Sequence, residues 1–368
     1  MRELEEAGEF VRLHARHMGL STDQIERVLA RISDLDAVGE GGWVTEWSRL
    51  ADDLLARGKA PEAANLYILA RFPCADTRAK AEAARRAATV TCAWLAESGT
   101  GGVRRARVGG AQVPFLFSRP ARSDAPLVVM MGGIVSLKEQ WSSFLGLGRR
   151  LGCAVAIADF PGVGENEVAY SREAAGVYTA IMDAVAGECD AERTLVVAPS
   201  FGGHLAILCS AWDERVRGLV TVGAPLRVFF TDPGARAAMP QVTRAALSRA
   251  AGVGQEGLSA RLDALALDPA EIARLRMPVT YVASTRDEII PNDDWGAAAR
   301  SSDRLSVYAF DDVHGAPHHL RQTRLLVLTA LCQHAGRRGA ALLIGLLTRR
   351  FMRIRPLQNG PVATGGTP

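Results

Sequence analysis

The chain has 368 residues, of which 48% are hydrophobic and 23% charged, with a net charge of +3. That length holds one large domain plus a smaller one, and a small, dispersed charge argues against a nucleic-acid-binding surface. The six cysteines (Cys74, Cys92, Cys153, Cys189, Cys209, Cys332) lack C-x-x-C spacing and a nearby histidine cluster, which argues against a disulfide framework, a zinc site or any other metal centre.

Residues 1–105 read as an all-helical domain. Phe10-Val11-Leu13 and Ile25-Val28-Leu29-Ile32 recur at helical spacing, and Trp43, Trp47, Leu50, Leu54 and Leu55 continue it. The acidic Met1–Glu6 stretch has no apolar core of a signal peptide, and no apolar run reaches the length of a bilayer span. A cytoplasmic location and no membrane partner are therefore expected.

The character changes after Ser98-Gly99-Thr100-Gly101-Gly102. Strand-like runs at Val113–Phe117, Leu127–Met131, Ala154–Ala158, Leu195–Ala198, Gly218–Val222, Val279–Ala283 and Leu305–Phe310 alternate with helix-length segments such as Lys138–Arg150, Arg172–Ala186 and Phe201–Trp212. That alternation predicts an α/β fold with a mainly parallel sheet over 106–354. Residues 226–276 interrupt it with helical pieces, including Pro240–Ala251 and Leu258–Leu267, and read as a lid-like insertion. The Pro- and Gly-rich 355–368 reads as a disordered tail.

Ala198-Pro199-Ser200-Phe201-Gly202-Gly203 joins a strand to a helix by a tight turn. It reads as a nucleophile elbow, with Ala198 where G-x-S-x-G has its first glycine. A helix N-cap is the plainer role for such a serine. Serine hydrolysis also needs a base, an acid to orient it and N–H donors for the oxyanion, and in this fold class the order is Ser, acid, His. Asp287 follows the Val279–Ala283 strand and is favoured over Glu288, Asp293 and Asp294. His314 follows the Leu305–Phe310 strand and is favoured over His318 and His319, which fall at a helix start. Asp311 and Asp312 read as a solvated pair. The oxyanion donors are expected at Phe201, just after the serine, and at Ile134 in Gly132-Gly133-Ile134, with Gly133 bordering the pocket. Trp141, Phe229, Phe230 and Trp295 are candidate pocket walls, core packing being the commoner role of such side chains. Asp159–Asn166 carries a G-x-G but lacks the rest of a phosphate-loop pattern, and reads as a structural turn.

Together, Gly132–Glu139, Asp159–Glu165, Ser200–Gly203 and Val222-Gly223-Ala224-Pro225 resemble the fermentation-respiration-switch esterase-like branch of the α/β-hydrolases, which includes dihydroxypseudooxynicotine hydrolase. Trp43, Trp47, Ala60–Ala70 and Arg71-Phe72-Pro73 resemble its N-terminal helical domain. The resemblance implies an α/β-hydrolase fold capped by those helices, no cofactor, a homodimer, a triad of Ser200, Asp287 and His314, and oxyanion donors at Ile134 and Phe201. Ala198 for Gly, and Asn166 where Ser is common, depart from the pattern.

Three functional classes follow. The first is a serine-dependent hydrolase cleaving an ester, or a C–C bond next to a carbonyl, in a small apolar carbonyl substrate. The second is a lyase using the same base and oxyanion hole to expel a carboxylate such as acetate. The third is a non-catalytic binding protein. The arginine-over-lysine usage and abundant alanine fit a GC-rich bacterial source, with which a role in secondary metabolism agrees.

Overall fold

The computed structural model describes residues 2–351. Five helices come first: α1 (Arg2–Met18), α2 (Thr22–Leu29), α3 (Trp43–Ala56), α4 (Ala60–Arg71) and α5 (Arg78–Ser98). Pro61 in the first turn of α4 has no N–H to leave unpaired, and the Thr77 hydroxyl caps α5 by accepting from Lys80 N at 3.2 Å. Trp43 and Trp47 are fully buried where α3 meets α4, and the Trp43 indole donates to Leu69 O at 2.9 Å.

The strands follow as β1 (Gly102–Val108), β2 (Ala111–Ser118), β3 (Pro126–Met131), β4 (Ala154–Ala158), β5 (Asp190–Val197), β6 (Val216–Val222), β7 (Val279–Ser284) and β8 (Leu305–Phe310). Between them lie α6 (Ser143–Leu151) after β3, α7 (Gly176–Val185) after β4 and α8 (Phe201–Ser210) after β5. After β6 come α9 (Val228–Thr231), α10 (Pro233–Ala238), α11 (Gln241–Ala250), α12 (Gln255–Asp263) and α13 (Pro269–Ala273). Then α14 (Asn292–Ser301) follows β7, and α15 (Leu320–His334) and α16 (Arg338–Phe351) follow β8.

The eight strands form one sheet in the order β1-β2-β4-β3-β5-β6-β7-β8. β1 and β2 are antiparallel, as are β2 and β4, and the remaining pairs are parallel. β3 and β4 are buried along their whole length, as parallel strands covered on both faces must be. Alternate residues serve opposite faces. Leu127, Val129 and Met131 join the core that continues through Trp43, Trp47 and Leu69 of the N-terminal helices, whereas Val128 and Met130 join a second core with Leu116, Leu145 and Ile157. The N-terminal helices thus share their core with one face of the sheet.

Several boundaries differ from the sequence reading. β1 starts at Gly102, inside the segment expected to be helical. It is an edge strand with exposed arginines (Arg104, Arg105), so its apolar alternation is weak. Lys138–Arg150 divides into a 3-10 turn (Lys138–Trp141) and α6. Residues 226–276 hold five short helices, α9 to α13, rather than two or three. The tail expected over 355–368 lies outside the described residues. No helix of the described residues is long and apolar enough to cross a membrane.

Candidate active site

The loops leaving the C-terminal ends of β3, β5, β6, β7 and β8 meet at one edge of the sheet, where ligands bind in open parallel sheets. Ser200 stands between β5 and α8 at φ 56° and ψ −135°, a strained conformation for a residue with a Cβ. Its N–H donates to Val222 O at 2.7 Å, and its carbonyl accepts from Gly203 N at 2.9 Å. Ala198 fits without distortion. It is fully buried, its N–H donates to Val220 O, and its carbonyl accepts the Thr221 hydroxyl at 2.6 Å.

The Ser200 Oγ lies 3.0 Å from His314 Nε2, and His314 Nδ1 lies 2.9 and 3.0 Å from the two Asp287 oxygens. Because a carboxylate only accepts, Nδ1 carries the proton and Nε2 faces the hydroxyl as an acceptor. Asp287 Oδ1 also accepts from Ile289 N and Ile290 N, which fixes the carboxylate. Burial disfavours the imidazolium of His314, but the charge of Asp287, its hydrogen bond and the more distant Glu288 outweigh burial and hold the pKa above the ordinary value. Gly223, at φ +62°, makes room for this pair, since a Cβ there would come within 2.9 Å of His314 Cε1 and 3.3 Å of Asp287 Oδ2.

The rival acids do other work. Glu288 accepts the His314 backbone N–H at 3.0 Å. Asp294 is buried and accepts from Leu226, Arg227 and Val228 N, which ties α14 to the start of α9. Asp293 is exposed. The solvated pair is corrected in part. Asp311 is exposed and pairs with Arg286, but Asp312 is fully buried. It accepts from His318 Nδ1 at 2.7 Å, His319 Nδ1 at 2.8 Å and the backbone N–H groups of Val313 and His318, so it shapes the loop that carries His314.

The β3 loop lies against the serine. A Cβ at Gly133 would stand 2.9 Å from Ser200 Cβ and 3.9 Å from Phe201 N, so only a glycine lets this backbone approach. Among the described residues neither Phe201 N nor Ile134 N donates a hydrogen bond, and Ile134 is buried. Behind the loop, Lys138 N donates to Asp159 Oδ1 at 2.7 Å. Lys138 Nζ sits 2.7 Å from Glu139, 2.9 Å from Asp159 and 2.5 Å from Glu165. Burial alone would lower the lysine's pKa, but the three carboxylates raise it well above its usual value. The G-x-G segment is thus an ionic clamp on the β3 loop. Nothing in its sequence pattern signalled the lysine.

The four candidate wall residues lie in packed surroundings. Phe229 and Phe230 are fully buried and back the Phe201 ring at centroid distances of 5.4 and 6.5 Å. They support the elbow and present no accessible surface. Trp141 packs on Phe144 against the second core, and Trp295 belongs to the first. A surface depression lined by Arg172, Arg227, Asp263 and Glu271 includes none of Ser200, Asp287 or His314. Among the described residues no group of His, Cys, Asp and Glu is arranged to hold a metal ion.

The sequence reading missed the contribution of α1. His17 Nε2 would lie 3.4 Å from a Cβ at Gly315, next to His314, and His14 packs on Phe72 at a centroid distance of 5.6 Å. Both act electrostatically on His314 or are acted on by it. Burial lowers the pKa of His14 to about 3 and that of His17 to about 4. His204 is a third case. It is fully buried, its Nε2 donates to Leu265 O at 2.9 Å and its Nδ1 accepts from the Tyr170 hydroxyl, and burial lowers its pKa to about 3.

These three histidines make stability pH-dependent. In the unfolded chain they bind protons below about pH 6.5, whereas the folded protein keeps them neutral until about pH 3–4. Their contribution is fully present above pH 6.5 and is lost as pH falls toward 4. The thermal midpoint is expected to fall from pH 6.5 to 5, before most carboxylates titrate. His17→Gln is expected to make that fall shallower. A midpoint that stays level to pH 5 would contradict the neutral buried histidines.

A serine, an imidazole and a carboxylate linked in that order, on loops at the C-terminal edge of a mainly parallel sheet, place the chain among the α/β-hydrolases. The family model described as "Esterase FrsA-like" matches residues 39–305, and the chain belongs to the FrsA-like esterase family. It is similar to "Esterase FrsA" of Vibrio cholerae serotype O1, with 24% identity over 317 residues covering 75% of each chain. Among solved structures, it resembles wild-type AbyA5 at 35% identity and TM-score 0.86, covering 90% of this chain and 95% of that one. The 2,6-dihydroxy-pseudo-oxynicotine hydrolase shares the fold, with TM-score 0.68 at 17% identity over 95% of this chain and 99% of that one. The expected family and fold are thus borne out, and the chain is an enzyme of the esterase and hydrolase type.

Proposed function

We propose that this protein is a serine esterase acting on a small carbonyl compound, with the N-terminal helices as a cap over its site. The observation that carries the reading is the hydrogen-bonded line from Ser200 Oγ (3.0 Å) through His314 to Asp287 (2.9 Å), beside two undonated N–H groups. His314 Nε2 takes the Ser200 proton as Oγ attacks the ester carbonyl. Asp287 holds the Nδ1 proton and stabilises the imidazolium that forms. The N–H groups of Phe201 and Ile134 receive the oxyanion, each such donor contributing about 3 kcal/mol to the transition state in comparable sites. His314 then protonates the leaving alkoxide, and water, deprotonated by the same imidazole, hydrolyses the acyl-enzyme and restores Ser200. Family membership supports the esterase class, and the similarity to hydrolases supports the fold on which this chemistry runs.

The same imidazole and N–H groups could instead remove a proton next to a carbonyl and expel a carboxylate. The two routes differ in the origin of one oxygen. Turnover of 4-acetoxybutan-2-one, whose acetoxy group stands β to a ketone, in heavy-oxygen water is expected to place one labelled oxygen in the released acetate and none in the hydroxyketone. Release of an unlabelled carboxylate together with an alkene would overturn hydrolysis in favour of elimination.

A further inference from the structure

Arg71 has no part in that mechanism. It closes α4, is 2% exposed, and forms no ion pair among the described residues. Its Nη1 donates to Pro73 O and to Val135 O, both at 2.9 Å. Its Nε is buried without a hydrogen-bond partner, and no bond engages Nη2. The free side is therefore the Nε/Nη2 edge, which matches the two oxygens of a carboxylate.

The surroundings do not neutralise it. Cys74 faces Arg71, but burial raises its thiol's pKa and keeps it neutral, and Asp159 and Glu139 act at longer range while already in contact with Lys138. Arg249 adds repulsion, and His14, which feels both Arg71 and His314, is neutral through burial. A buried guanidinium without a counterion is strongly unfavourable, because desolvation is not repaid by a paired charge. A staple holding Val135 in place would need only a neutral donor, so fastening does not account for the charge. The location ties that charge to the reaction, because Val135 belongs to the same loop as Gly133, which touches Ser200, and Ile134, whose N–H is free.

We propose that Arg71 is a specificity-determining residue that binds a carboxylate of the substrate, remote from the carbonyl Ser200 attacks, through its free Nε/Nη2 edge. The substrate class becomes a carboxylate-bearing ester, and the N-terminal helices become part of substrate recognition. The proposal rests on the serine esterase reading for the position of the carbonyl.

Two near-isosteric esters test it, p-nitrophenyl hemiglutarate (anionic) and p-nitrophenyl valerate (neutral). Arg71→Met is expected to lower kcat/KM for the anionic ester by about 10- to 100-fold, mainly through KM, as loss of a charge-assisted pair does. The neutral ester, which reports only the loss of the Pro73 and Val135 bonds, is expected to fall at least about tenfold less than the anionic one, and Arg71→Lys to recover part of the anionic preference. Equal losses on both esters would make Arg71 a structural staple, and no loss on either would also overturn the proposal. If Arg71→Met does not fold, the wild-type enzyme decides. Monomethyl glutarate is expected to inhibit valerate hydrolysis at least about tenfold better than dimethyl glutarate, and equal inhibition would overturn the proposal. Should neither ester be cleaved in a Ser200-dependent way, the esterase reading fails separately. Calorimetric binding of the same two glutarates to the Ser200→Ala protein then tests Arg71, a preference for the monoanion upholding it and none overturning it.

Discussion

Ser200→Ala is expected to lower kcat for ester hydrolysis by roughly 10⁶-fold while leaving the fold intact, as removal of the nucleophile does in other serine hydrolases. The Ser200 side chain makes its hydrogen bond to His314 and carries no other contact on which the elbow depends. The elbow is held by backbone bonds, from Ser200 N to Val222 O and from Gly203 N to Ser200 O, and these survive in alanine. A Cβ at φ 56° is equally strained in both residues, so the thermal midpoint is expected to move by no more than about 2 °C. Two measurements check the expectation: steady-state kinetics on a p-nitrophenyl ester, and mass spectrometry of the enzyme quenched during turnover. The native protein is expected to carry an acyl group on the peptide containing Ser200, and the variant none. Full activity in Ser200→Ala combined with its loss in His314→Ala would transfer the chemistry to proton abstraction by the imidazole, without a covalent intermediate.

That Ser200, Asp287 and His314 meet in one hydrogen-bonded line was legible in the sequence because local grammar marks each of them. Ser200 sits between an apolar strand and a Gly-Gly helix start, and Asp287 and His314 each follow a strand of six residues. The edge strand β8 kept buried Leu305, Val307 and Phe310 as its signal. Buried parallel strands write themselves as continuous apolar runs, which is why β4 was placed to the residue. β1 was not, because an edge strand with solvent on one side needs no such run.

The surroundings of the triad were illegible for a different reason. Asp311 and Asp312 are adjacent and chemically identical, and one is exposed while the other is fully buried beneath two histidines. Only the path of the chain separates them. His14 and His17 reach the site from about 300 residues away, on a helix whose apolar spacing shows that it packs but not on what. Arg71 is similar. A basic residue at a helix end commonly lies in solvent near the C-terminal dipole, whereas the structure buries this one against the Val135 carbonyl. Contacts between the N-terminal helices and the sheet edge are long-range facts that no local pattern records.

Asp287→Asn is expected to cost about 10⁴-fold in kcat at neutral pH, with little change in the loop around it. The asparagine oxygen can still accept from Ile289 N and Ile290 N, which leaves the amide nitrogen facing His314 Nδ1. An amide N–H donates, so Nδ1 must become the acceptor and the imidazole proton moves to Nε2. There it faces Ser200 Oγ, and the imidazole can no longer take the hydroxyl proton. The pH profile changes in the same experiment. In the native enzyme the His314 pKa is raised, because the attraction of Asp287 and Glu288 outweighs burial, and under the proposed mechanism only the neutral imidazole takes the Ser200 proton. The rate is therefore expected to climb with pH through a pKa above 6.5 and to be lost below it. Removing the Asp287 charge leaves burial less opposed, so the residual activity of Asp287→Asn is expected to inflect at a lower pH than the native enzyme. A plot of kcat/KM against pH for both proteins gives the depth and the shift together. A loss under tenfold with an unmoved inflection would mean that Asp287 is not the group that orients His314, and Glu288, which bonds the His314 backbone at 3.0 Å, would be the next residue to replace.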